Sequence, residues 1–126
     1  MSALPIFLRA HAMPVILIGS GEAADAKRRL LERAGMRIAG ESEAAQLAIV
    51  AVEDDEAARA AVARLKARGL LVNAVDRPDL CDFTLPAIID RAPVIVAIGT
   101  GGVSAGLAAA LRQRIDRKST RLNSSH

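Results

Sequence analysis

With 126 residues the chain has room for one domain able to bury its own core. Apolar residues make up 52% of it but aromatic ones only 2%, with no Trp or Tyr. The core must therefore come from Ala, Val, Ile and Leu, which favours helices on a parallel sheet and argues against modules that stack single-stranded bases on exposed rings. The formal charge of +3 does not point to a polyanionic partner, because Arg117, Lys118 and Arg121 near the C-terminus account for the whole excess. A single cysteine, Cys81, excludes an intramolecular disulfide. With no Cys/His cluster at zinc spacing, a reducing cytoplasmic location is the expectation, and metal ligands are not expected. No apolar run approaches the roughly 18 residues of a membrane span, and residues 1–18 lack the pattern of a signal peptide.

The first strand is predicted over residues 14–18, P-V-I-L-I, followed at once by glycine and a helix from Glu22 to Ala34. On that helix Ala23, Ala26, Leu30 and Ala34 share a face, and Gly35 closes it. Residues 36–39 form a short second strand and residues 47–52, L-A-I-V-A-V, a third one buried on both faces. An amphipathic helix over residues 56–68 stops at Gly69. Residues 70–75 are the fourth strand, then comes a loop with Pro78 and Pro86, then a fifth strand, V-I-V-A-I, at residues 94–98. A last helix begins after residues 99–102 with Ser104 as N-cap. Strand and helix alternate, the pattern of an α/β, Rossmann-like domain with a mostly parallel sheet. Only residues 40–46 separate the second and third strands, too few for a helical crossover. The domain is placed at residues 1–115. Residues 116–126, D-R-K-S-T-R-L-N-S-S-H, resemble the translation of a sequencing-library adapter, or else a polar disordered tail, and are expected to carry no fold.

Gly19-Ser20-Gly21-Glu22-Ala23-Ala24 fits G-x-G-x-x-A between a strand and a helix, the context of a dinucleotide fingerprint. Gly19 allows the tight turn, Gly21 lets backbone approach a pyrophosphate, and Ala24 permits close helix packing. Glu41 and Glu43 lie where an acid would meet the adenosine ribose and favour NAD over NADP, or else are solvated loop charges. Asp76 ends the fourth strand, at the carboxyl edge where α/β sheets bind ligands. It either takes a proton as a hydride leaves for NAD or caps its own turn. The amides of Gly99-Thr100-Gly101-Gly102 form a second loop suited to anions, or a plain turn. Arg77 and Arg91 are secondary candidates for substrate carboxylates. His11, His126 and Cys81 read as bystanders.

L-P-I-F at 4–7, I-G-S-G-E at 18–22, V-N-A-V-D at 72–76, D-F-T-L-P-A-I-I-D-R at 82–91 and G-T-G-G-V-S-A-G-L-A at 99–108 occur in that order. Together they resemble the N-terminal domain of siroheme synthase, the precorrin-2 dehydrogenase/sirohydrochlorin ferrochelatase family. The resemblance implies oxidation of precorrin-2 to sirohydrochlorin with NAD as hydride acceptor, and in bifunctional members insertion of ferrous iron. It implies that Asp76 is the essential carboxylate, that Gly19, Ser20, Gly21, Glu22 and Ala23 contact NAD, and that Thr100, Gly101 and Gly102 border the tetrapyrrole. Asn73, on the strand end that carries Asp76, is grouped with them as substrate-binding. The family has a longer connection between the second and third strands and continues past Ile115 into a region completing a homodimer, so the chain is expected to be a truncated form. The alternative is a non-catalytic NAD-sensing domain of the same fold.

Overall fold

The computed structural model describes residues 1–101 and 105–124. The chain divides into two compact units, Ile6–Thr84 and a second made of Met1–Pro5 with Leu85–His126.

In the first unit the elements run β1 (Pro14–Gly19), α1 (Glu22–Arg33), β2 (Arg37–Ala39), β3 (Leu47–Ala51), α2 (Asp55–Ala67) and β4 (Leu71–Ala74), then a single 3-10 turn, Pro78–Leu80. The strands form one parallel sheet in the order β2-β1-β3-β4. Val15 and Ile16 on β1 and 48–51 on β3 are buried, because a central parallel strand is covered on both faces. Ile16, Ala48, Val50, Val72 and Ala74 meet Ala58, Ala61, Val62 and Leu65 of α2 in one apolar cluster. Side chains of the other parity, Val15, Ile49 and Ala51, are buried on the face that takes α1. Each fully buried Val, Ile or Leu here contributes about 1.5–3 kcal/mol relative to exposure.

Both helices end as the sequence predicts. The amide after each glycine reaches back five residues, Met36 to the Leu31 carbonyl at 3.0 Å and Leu70 to that of Leu65 at 3.2 Å. The buried face of α1 is shifted from the predicted one. Ala24 and Leu31 are buried, while Ala23, Ala26 and Ala34 are exposed. An alanine-rich helix has a weak apolar stripe, so its phase is set by packing rather than by sequence.

Strand order places β2 and β3 on opposite sides of β1, so residues 40–46 must pass across β1 to join them. They do so on the α2 face, where Ala45 packs against the apolar cluster. Arg64 in the last turn of α2 and Arg68 just beyond its end hold this connection, Arg64 through the Glu41 carboxylate and Arg68 through the carbonyls of Glu41 and Glu43.

The second unit corrects two predictions. Residues 94–98 are a strand, β6 (Val94–Ile98), but it pairs antiparallel with β5 (Ala87–Arg91) in a two-stranded sheet and does not extend the parallel one. β5 itself lies in the stretch read as a loop. Pro86, one of the two signals for that loop, sits just outside β5, where a missing amide costs the ladder nothing. A helix, α3 (Ala105–Ser124), follows and continues past Ile115, so the segment expected to carry no fold is helical to Ser124. Arg91 of β5 and Asp116 of α3 form an ion pair. The N-cap assigned to Ser104 lies outside the described residues.

Candidate active site

The segments that follow β1, β3 and β4 leave from the carboxyl ends of neighbouring strands of the parallel sheet. The first is built by two glycines used for different reasons. A side chain on Gly19 would place its Cβ 1.9 Å from the Ala51 carbonyl oxygen of β3, and φ there is 128°. Gly19 is thus demanded by the neighbouring strand. Gly21, at φ 95° and ψ −168°, has nothing within 4 Å of where a Cβ would stand. Its backbone is open to a ligand, in a conformation essentially confined to glycine. Helix α1 starts on it with no side chain capping the first-turn amides, and Ala24, 2% exposed, lets the helix sit close to the sheet. Open amides at a helix N-terminus following a strand form a cradle for an anion.

The second segment is self-contained. The Asp54 carboxylate accepts the Ala57 amide at 2.9 Å and caps α2. Asp55, in the first turn, is bonded by Arg77 and by Arg59, both at 3.0 Å. The Arg77 bond, then that of Arg59, holds the Asp55 carboxyl below the usual range.

In the third segment residues 74–77 form a turn closed by the Arg77 amide on the Ala74 carbonyl at 3.2 Å. Asp76, its third residue, has φ 61°, in the left-handed region that, glycine aside, Asp and Asn enter most readily. Its side chain is exposed, and among the described residues its carboxylate makes no hydrogen bond or ion pair. The chain then runs back along β4. The Asp82 carboxylate accepts the Val72 amide at 3.0 Å, the Cys81 sulfur accepts the Ala74 amide at 3.2 Å, and the Asn73 side chain donates to the Phe83 carbonyl at 2.9 Å. These contacts satisfy an edge strand whose outward amides would otherwise be open.

The structure brings Gly19, Ser20, Gly21, Glu22, Ala23 and Asp76 to one edge of one sheet, with the end of β3 between them; two strand spacings amount to about 10 Å. It does not bring Glu41 and Glu43 to the glycine loop. Glu41 is held by both nitrogens of an Arg64 fork at 3.0 and 3.1 Å, and Glu43 by the Gly40 amide and Arg37. These bonds, from Arg64 for Glu41 and chiefly from the Gly40 amide for Glu43, lower both carboxyl pKa values. Arg64 stands toward the end of α2, which returns to the start of β4, so the carboxylates are drawn toward the amino edge. Asn73 is 8% exposed and spends its amide on Phe83. Thr100 and Gly101, the latter at φ 66°, belong to the second unit, and Gly102 lies outside the described residues.

A depression of about 560 Å³ lies at the opposite end of β1, between Arg9, His11 and Pro14 on one side and Ala44 and Gln46 on the other. It is remote from the carboxyl edge and is shaped by the short 40–46 connection. The sequence offers Arg77 only as a secondary candidate for substrate carboxylates and Cys81 as a bystander. Their partners lie 22–25 and 7 residues away, beyond what local pattern shows.

A family model described as "Putative NAD(P)-binding" matches residues 38–87. Over 92% of its length the chain is 42% identical to the siroheme synthase of Methylococcus capsulatus and 37% identical to that of Nitrosomonas europaea, in each case covering 30% of the relative. The chain thus spans about a third of the length of the curated relatives it matches. The alignment with the first runs over 145 positions, more than the 126 residues of this chain, so the relative carries stretches this chain lacks. Among solved structures, "SirC, precorrin-2 dehydrogenase" superposes with a TM-score of 0.72 at 16% identity, over 92% of this chain and 71% of that one, which shows the shared fold.

Proposed function

We propose that this chain, a homologue of the siroheme synthases and matched to their N-terminal region, carries the NAD-dependent oxidation of precorrin-2 to sirohydrochlorin. One observation carries the reading: an uncapped helix N-terminus on a glycine loop and an exposed carboxylate in a left-handed turn share the carboxyl edge of one parallel sheet. The open space at Gly21 and the free first-turn amides fit a dinucleotide pyrophosphate, so Gly19, Ser20, Gly21, Glu22 and Ala23 would hold NAD there. NAD when bound supplies the acceptor for one hydride. The ring that loses this hydride must also lose a proton, and Asp76 is the base that takes it. By the family resemblance, Thr100, Gly101 and Gly102 would border the tetrapyrrole. Glu41 and Glu43, engaged by arginines, serve as latches of the short connection.

Ferrous iron insertion belongs to the same reading as a second use of the Asp76 carboxylate, which would take protons from the macrocycle as the metal enters. The homodimer is the assembly that fits the exposed Val94, Ile95 and Leu107 of the second unit. A cytoplasmic location is part of the same proposal. Among the described residues no helix is long and apolar enough to cross a membrane.

The test follows NADH formation from precorrin-2 and NAD, in this chain and in a form extended with a relative's C-terminal region. Turnover by the extended form, lost in Asp76→Asn while NAD still binds, is expected. A folded, NAD-binding extended form without turnover would transfer the chain to the NAD-sensing class.

A further inference from the structure

We infer that Arg77 is a positioning residue, whose guanidinium locks the turn that aims the Asp76 carboxylate over the sheet edge. The inference rests on Asp76 being the base. A side chain at φ 61° is uncommon even for Asp, which enters this left-handed region more readily than most residues, so contacts around the turn matter in holding it there. Among the described residues the Asp76 side chain makes no bond that does this. The restraint comes from the next residue. The Arg77 side chain, 15% exposed, donates to the Val52 carbonyl at 3.0 Å, the Glu53 carbonyl at 2.9 Å and the Asp55 carboxylate at 3.0 Å. A longer contact, 3.4 Å, returns to Val75. Arg77 thereby ties the exit of the Asp76 turn to the end of β3 and the start of α2.

The lock is itself braced. Asp55 is shared with Arg59, which reaches Asp79 at 3.4 Å in the 3-10 turn beyond, and the Cys81 thiol donates to the Ala74 carbonyl at 3.2 Å at the entry of the turn. Residues on both sides of Asp76 are held and Asp76 alone is left free-standing, the division of labour a base on a mobile loop lacks. A planar fork meets two carbonyls and a carboxylate at once. A lysine ammonium on a flexible stem reaches Asp55 without spanning the two carbonyls.

The test compares Arg77→Lys and Arg77→Gln with Asp54→Ala, which loosens the same β3–α2 junction through the helix cap without touching the Asp76 turn. In the extended form, kcat is expected to fall between about ten- and a hundredfold in Arg77→Gln and less in Arg77→Lys. KM for NAD should stay within about twofold, and Asp54→Ala should keep its kcat. In this chain, NMR scalar couplings should show Asp76 leaving its positive φ in Arg77→Gln. An unchanged kcat, or a loss matched by Asp54→Ala, would reduce Arg77 to a stability contact, and unchanged couplings would remove the lock. Retained turnover in Asp76→Asn would instead overturn the base assignment, with the couplings still deciding whether Arg77 holds the turn.

Discussion

Helices α1 and α2 start from the same edge of the same sheet, yet their first turns are finished in opposite ways. Helix α2 closes its own N-terminus, with Asp54 on the Ala57 amide and Asp55 held by two arginines. Helix α1 begins on Gly21, has no side-chain cap, and leaves its first amides facing open space. A helix end without a partner is destabilising in isolation, and a fold keeps one exposed where a ligand supplies the missing acceptor. The polar residues of the β3–α2 junction are spent on structure, whereas the backbone of the β1–α1 junction is kept for binding.

The largest effect separating the two ends is expected at Gly19. Alanine there would set a methyl 1.9 Å from the Ala51 carbonyl at a φ of 128°, so β1 and β3 must part or the turn must change. Strain and overpacking together should cost about 3 kcal/mol or more, read from urea denaturation. Gly21→Ala meets no atom and pays only conformational strain, about 1–3 kcal/mol, but should lose NAD affinity out of proportion. Equal stability losses with NAD affinity intact in Gly21→Ala would mean that the open end of α1 is not the binding end.

On the closed side Asp54→Ala removes a cap and should cost about 1 kcal/mol, within the 0.5–2 kcal/mol usual for such caps, with NAD affinity unchanged in calorimetry. A change in NAD affinity there would erase the distinction between the two ends.

The features that follow from neighbours in sequence were legible. The glycines at 19 and 21, the helix stops at Gly35 and Gly69, and the placement of Asp76 after β4 all come from short patterns. What depends on distant partners was not. Arg77 looks like a free loop cation until the fold brings Val52, Glu53 and Asp55 beneath it. β5 was hidden because Pro86, which immediately precedes it, also reads as a loop signal. The pairing of β6 with β5 rather than with the parallel sheet is a choice of partner that a five-residue apolar run does not encode.

The smallest expected effect concerns the carboxylates that the fold draws away from the binding end. Arg64 holds Glu41, and the Gly40 amide with Arg37 holds Glu43, so both titrate below the ordinary glutamate value. A carboxyl whose folded pKa is depressed adds stability above its unfolded pKa and loses it as pH falls through the folded value. Between neutrality and about pH 5 these groups should therefore leave the melting temperature flat, and below that they should contribute a downward slope. Both are exposed, so the slope is shallow and salt flattens it further. Glu41→Gln should reduce the acid slope while leaving NAD affinity as it was, because the Arg64 fork spends that carboxylate on the connection between β2 and β3. If Glu41→Gln instead weakens NAD by about tenfold and leaves the acid slope intact, Glu41 has left Arg64 for the ribose. The open end of the sheet would then reach further than the glycine loop, and the comparison between the two junctions would have to include β2.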